Sequence, residues 1–129
     1  MAVRIAVVNN DTAFLKLMHE LLSDEGYETH AFREGANDYP ALRDLAPDVI
    51  ILDIRLEQPE GGWNLLELCR LDPTLTRTPI IVCSADVRAL QERALYLQSQ
   101  HCQVLPKPFD LDALLDLLKQ VRGEASGPA

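Results

Sequence analysis

Aromatic residues make up only 5% of this chain, so any core must be filled mainly by Leu, Ile, Val and Ala. Clustered positive charge is missing as well. Twelve Lys and Arg stand against 20 Asp and Glu, the formal net charge is −8, and the basic residues form neither a stripe nor a cluster. Direct nucleic-acid binding relies on grouped Lys and Arg neutralising phosphates, so it is not expected here. No basic amphipathic face is available for anionic lipid either.

No apolar run approaches the roughly 20 residues that a membrane-spanning helix requires. The opening Met1-Ala2-Val3-Arg4-Ile5 enters a strand-like pattern at once, without the charged start and long apolar stretch of a secretory leader. A cytoplasmic protein is expected. Cys69, Cys83 and Cys102 are scattered, with no C-x-x-C pair, which argues against a disulfide framework or zinc site and for buried free thiols. Internal repeats and low-complexity tracts are absent too.

What is there suits one domain: 129 residues, 47% of them apolar and 25% charged. Residues 3–8, 49–52 and 80–83 are short, β-branched and apolar nearly throughout, the pattern of parallel strands covered on both faces. The more polar or shorter runs 27–32 and 102–105 read as edge strands. Between them, Phe14, Leu17, Met18, Leu21 and Leu22 repeat at helical spacing, with Gly26 as a left-handed stop. Leu65, Leu68 and Cys69 do the same, as do Val87, Leu90, Ala94 and Leu97. The last helix carries Leu111, Leu114, Leu115, Leu118 and Val121, with Asp110 as N-cap and Gly123 as stop. A second helix is expected within 36–46, its start limited by Pro40. Five alternations of strand and helix imply a parallel α/β sheet with helices on both faces. Residues 1–122 form the expected domain, 123–129 a short flexible tail, and no linker to an output domain is expected.

In such sheets, sites form beyond the carboxyl ends of the strands. Strand one ends in Asn9-Asn10-Asp11, strand three in Asp53, strand four in Ser84-Ala85, and strand five leads into Lys107-Pro108. Asp53, directly after Val49-Ile50-Ile51-Leu52, is either a nucleophile for a phosphoryl group or a solvated strand-end acid; its convergence with Lys107 and Ser84 favours the nucleophile. Lys107, held between Pro106 and Pro108, supplies positive charge beside such a group, and Ala85 leaves the approach open.

Over about 3–121 the chain resembles the receiver domain of two-component response regulators. The carrying residues are Pro47-Asp48-Val49-Ile50-Ile51-Leu52-Asp53, Pro79-Ile80-Ile81-Val82-Cys83-Ser84-Ala85 and Lys107-Pro108-Phe109, together with Gly62. The resemblance implies a flavodoxin-like (βα)5 fold with strand order 2-1-3-4-5, and a cis peptide bond before Pro108. It also implies phosphorylation of Asp53 by a sensor histidine kinase or a phosphotransfer protein, with Ser84 and Lys107 reading the phosphoryl group and a downstream protein target responding. Catalysis beyond self-catalysed transfer and dephosphorylation is not implied.

The chain departs from that pattern where the family carries two acidic residues that hold Mg²⁺. Here Asn9 and Asn10 stand instead. Losing one unit attraction at ~4 Å and an effective dielectric near 20 costs on the order of 4 kcal/mol before desolvation offsets it. A weak or absent Mg²⁺ site is therefore expected, built from Asn10, Asp53 and the Arg55 carbonyl, with Asn9 and Asp11 as further candidates. Asp11 competes as a helix cap, and the Arg55 side chain either fills the cation space or points to solvent. Val104 replaces the aromatic switch residue, and the loop 56–61 is one residue longer than usual. Trp63 is either a partner contact or a helix-start residue packed on its own loop.

The alternative is a phosphorylation-independent pseudo-receiver that acts as a protein-interaction module, with Lys107 paired permanently to Asp53. The oligomeric state is open, a dimer through the fourth helix, fifth strand and fifth helix being one option. A flavin carrier is disfavoured because Asn9-Asn10-Asp11-Thr12-Ala13 has no phosphate-cradling glycine, and a hydrolase because His19, His30 and His101 stand away from Asp53.

Overall fold

Alternating side chains along three buried strands divide the interior into two layers. In the computed structural model, which describes residues 2–55 and 61–122, the strands are β1 (Arg4–Val8), β2 (Glu28–Phe32), β3 (Val49–Leu52), β4 (Ile80–Ser84) and β5 (Cys102–Pro106). They pair in parallel in the order β2-β1-β3-β4-β5, as expected. Ala6, Val8, Ile50, Leu52, Ile80 and Val82 face one layer. Ile5, Val7, Val49, Ile51, Ile81 and Cys83 face the other. β2 and β5 lie at the edges and are more exposed.

The helices are α1 (Thr12–Asp24), α2 (Tyr39–Leu45), α3 (Gly61–Leu71), α4 (Val87–Glu92), α5 (Ala94–Ser99) and α6 (Leu111–Val121). Leu15, Met18 and Leu22 of α1 join Leu114 and Leu118 of α6 in the second layer. Leu42, Leu65, Leu66, Cys69, Leu90 and Leu97 close the first. The faces read from 3.6-residue spacing meet the sheet in part: Met18, Leu22, Leu65, Cys69, Leu90, Leu97, Leu114 and Leu118 are buried. Leu17, Val87 and Ala94 are exposed, whereas Leu15 and Leu66, outside that spacing, are buried.

Local chemistry sets the boundaries. Gly26 takes φ +89 after α1, while the Tyr27 N–H donates back to the Leu22 carbonyl at 3.0 Å. Asp110 caps α6 through the Ala113 N–H at 2.8 Å; Gly123 and the tail lie outside the described residues. In the second helical region a 3₁₀ turn (Gly35–Asp38) precedes α2, and Pro40 sits in the first turn, where its missing N–H costs nothing. The fourth expected helix is two: Arg93, at φ −110 and ψ 19, breaks it into α4 and α5. The apolar spacing runs straight through Arg93 and does not signal the break. Its guanidinium lies 4.5 Å from the Trp63 ring centre. Trp63 also packs edge-on against Tyr96 and is buried, so it is neither a surface contact nor packed solely on its own loop.

All three cysteines are free and buried. Burial pushes the Cys69 thiol up to about 11 and the Cys83 thiol up to about 12, with nearby Lys107 pulling Cys83 down and Asp53 pushing it up. Both thiols therefore stay protonated and enclosed at neutral pH. Iodoacetamide is expected to add no carbamidomethyl group to the native protein at neutral pH and to modify all three cysteines after urea unfolding, as read by intact mass.

Candidate functional site

The rim at the carboxyl end of the sheet holds one acid in close contact with a lysine. Asp53 leaves β3 with its N–H bonded to the Val8 carbonyl at 3.0 Å, which fixes it beside the end of β1. Its Oδ1 accepts the Arg55 N–H at 2.8 Å. Its Oδ2 accepts from Asn9 Nδ2 at 3.1 Å and Lys107 Nζ at 3.0 Å. The Asp53 and Lys107 side chains are only 10% and 21% exposed, so water screens their attraction weakly.

Each donor is positioned by its own strand end. Asn9 is buried, and its Oδ1 accepts the Asp11 N–H at 2.8 Å. With that oxygen committed to a donor, the amide nitrogen is the group that meets the carboxylate. Lys107 follows β5, its N–H donating to the Ser84 carbonyl at 2.9 Å. The Lys107–Pro108 bond is cis, as expected, and the ammonium sits 4.1 Å from the Phe14 ring centre. Gly62 completes the frame. A Cβ there would stand 2.4 Å from Ile54 Cα and 2.7 Å from the Asp53 carbonyl, so only glycine lets α3 approach this backbone.

The other expected residues divide. Ser84 is fully buried, and its Oγ accepts the Asp86 N–H at 3.1 Å, so it engages Asp86 rather than Asp53. Asp11 caps α1, accepting from the Ala13 and Phe14 N–H groups at 2.9 and 3.2 Å. Asn10 is exposed, and its carbonyl accepts from Arg33 at 3.4 Å; Asn9, ranked second in the sequence, is the residue that touches Asp53. The Arg55 side chain is largely exposed to solvent, one of its two expected places, and does not fill the cation space. It spans to Asp86 Oδ2 at 2.7 Å, bridging the loops after β3 and β4. Asp86 was missed altogether, although an acid one residue past Ser84-Ala85 at a helix start was a usable signal. Loop residues 56–60 lie outside the described residues.

The chain as a whole is similar to known proteins. A family model described as response regulator receiver domain matches residues 5–119. The chain is 34% identical over 116 residues to the response regulator MprA of Mycobacterium tuberculosis, an alignment covering 89% of this chain and 48% of that protein. The chain thus spans about half the length of the curated relatives it matches. Among solved structures it resembles chemotaxis protein CheY4 of Vibrio cholerae, with TM-score 0.82, 21% identity and 94% and 99% of the two chains covered. It is equally similar to the receiver domain of sensor histidine kinase PA1611 from Pseudomonas aeruginosa, with TM-score 0.82, 22% identity and 95% and 99% covered. That structure is described with a magnesium ion coordinated in its active-site cleft.

The donors in the present chain do not fit Mg²⁺. Among the described residues no group of three His, Cys, Asp or Glu side chains is placed to hold a metal. Among the described residues Asp53 is the acid that Asn9 and Lys107 meet, and its oxygens already face Asn9, Lys107 and the Arg55 N–H. Oδ1 of Asp11 is committed to α1 and the amide oxygen of Asn9 to the Asp11 N–H. Among the described residues a hard cation that sheds water reluctantly finds one carboxylate here, already paired with an ammonium.

Gly62→Ala is expected to lower stability by about 1–3 kcal/mol, because backbone atoms cannot yield to the added methyl. Urea unfolding measures it, and an unchanged midpoint contradicts the close packing.

Proposed function

The chain belongs to the response regulator receiver domain family, and on that premise we propose that it accepts a phosphoryl group on Asp53 and thereby changes its binding to a partner. The observation that carries this reading is the 3.0 Å contact between Lys107 Nζ and Asp53 Oδ2 at the open end of the sheet. A carboxylate this enclosed and this close to a cation is fixed in place for attack, and the cation remains to meet the new negative charge. In the transfer, an Asp53 oxygen bonds to phosphorus as the phosphorus–nitrogen bond of a donor phosphohistidine breaks, the imidazole keeping the electron pair. The donor is a sensor histidine kinase or a phosphotransfer protein, and the setting is the cytoplasm. The described residues contain no helix long and apolar enough to cross a membrane.

Output is assigned to the face running from α4 through β5 to α6. Val87 and Val104 are both exposed there and border a groove of about 540 Å³ with Leu90, Ala94 and Leu97. A downstream protein target, or a second copy of this chain, is the expected occupant. Because residue 104 is valine, no ring can swing at this place to report the modification. The signal must travel by another route.

Incubation with acetyl phosphate should add one phosphoryl mass to the protein and none to Asp53→Asn, which keeps the shape but lacks the nucleophile. Equal labelling of both proteins contradicts the assignment of Asp53. No labelling of either, with unaltered partner binding in Asp53→Asn, instead supports a phosphorylation-independent interaction module.

A further inference from the structure

Phosphorylation unbalances the charge in this pocket. Before modification, one carboxylate faces one ammonium, with two neutral N–H donors also bonded to it. An acyl phosphate on Asp53 carries close to two negative charges, and among the described residues no group of three His, Cys, Asp or Glu side chains is placed to bring in a divalent ion. A second cation stands at the mouth. Arg55 is tethered to the reacting residue by its own N–H on Asp53 Oδ1, and its guanidinium crosses to Asp86.

The Arg55–Asp86 pair suits a group that changes partner. The Arg55 side chain is 69% exposed and that of Asp86 25%, so the link is solvent-screened and cheap to break. A phosphoryl group offers the planar guanidinium a bidentate, doubly charged acceptor, which binds it better than one exposed carboxylate does. Asp86 has further ties. Its Oδ1 caps α4 through the Ala89 N–H at 3.0 Å, and its own N–H holds the Ser84 hydroxyl oxygen at 3.1 Å. Whatever removes Arg55 from the Asp86 carboxylate therefore acts on the group that caps α4.

Building on the phosphoacceptor reading, we propose that Arg55 is the second phosphoryl-binding cation of this site, leaving Asp86 for the phosphoryl oxygens and so allowing metal-independent phosphorylation. With an acyl phosphate as donor, the bond from an Asp53 oxygen to phosphorus forms as the bond from phosphorus to the acyl oxygen breaks, and the carboxylate product leaves with the electron pair. Lys107 and Arg55 meet the charge on the transferred group from two sides. Release of Asp86 then alters the start of α4, a route to the output face that needs no aromatic at position 104.

The test follows labelling of the full chain by acetyl phosphate in the presence of EDTA, with intact mass as readout. Wild type is expected to label. Arg55→Ala should slow labelling roughly 100- to 1000-fold, the range seen when a charge-stabilising donor is lost. Arg55→Lys should recover part of the rate, since it keeps the charge but loses the fork. Asp86→Asn, which keeps a capping side chain, should label at or above the wild-type rate because Arg55 is no longer held away. If Asp86→Asn falls as far as Arg55→Ala, the latch is merely structural and the proposal is overturned. Wild-type rates in Arg55→Ala, or labelling of wild type that requires added Mg²⁺, overturn it as well and leave Asp53 as phosphoacceptor. Absence of label in wild type with and without Mg²⁺ removes the phosphoacceptor reading, and this proposal with it.

Discussion

A nearly buried carboxylate must be neutralised where it stands, and the arrangement of this rim follows from how Asp53 meets that requirement. Two of its three contacts are neutral N–H groups and the third is the Lys107 ammonium. Each comes from a different stretch of chain: the end of β1, the turn after β3 and the turn after β5. The ion pair therefore ties distant segments together, and it depends in turn on Gly62 admitting α3, Asn9 being turned by Asp11, and Ser84 receiving the Lys107 N–H. Removing the lysine leaves a charge inside with only amides to satisfy it, which is why a partner cannot be lost here without disturbing the neighbours.

The same economy of charge links the pocket to α4. Ser84 is not aimed at Asp53 but held by Asp86, and Asp86 is shared among Ser84, the cap of α4 and Arg55. Changes in charge at Asp53 thus have a short path to a helix on the opposite side of the mouth. The path runs through side chains of the loops after β3 and β4 rather than through β5, where Val104 offers only a small apolar surface.

Much of this was legible in the amino-acid order because it rests on local periodicity. Strands that alternate between two apolar layers leave continuous β-branched runs, so β1, β3 and β4 stood out and the edges were recognisable by their polarity. Asp53 and Lys107 were readable as strand-end residues, and the cap role of Asp11 followed from its place before Thr12. Three things were not legible. The break at Arg93 is a backbone turn inside an unbroken apolar pattern. The preference for Asn9 over Asn10 depends on which side chain the twist of β1 turns inward, and neighbouring identical residues carry no sign of that. The Arg55–Asp86 bridge joins residues 31 apart, a pairing that spacing does not reveal.

Asn9 and Lys107, rather than a divalent ion, balance Asp53. Calorimetric titration with Mg²⁺ tests this balance most directly, comparing wild type with a variant carrying both Asn9→Asp and Asn10→Asp. Wild type is predicted to give no binding heat through millimolar Mg²⁺, while the doubly acidic variant gains a saturable site. Saturable binding to wild type with an affinity matching the variant's contradicts the account.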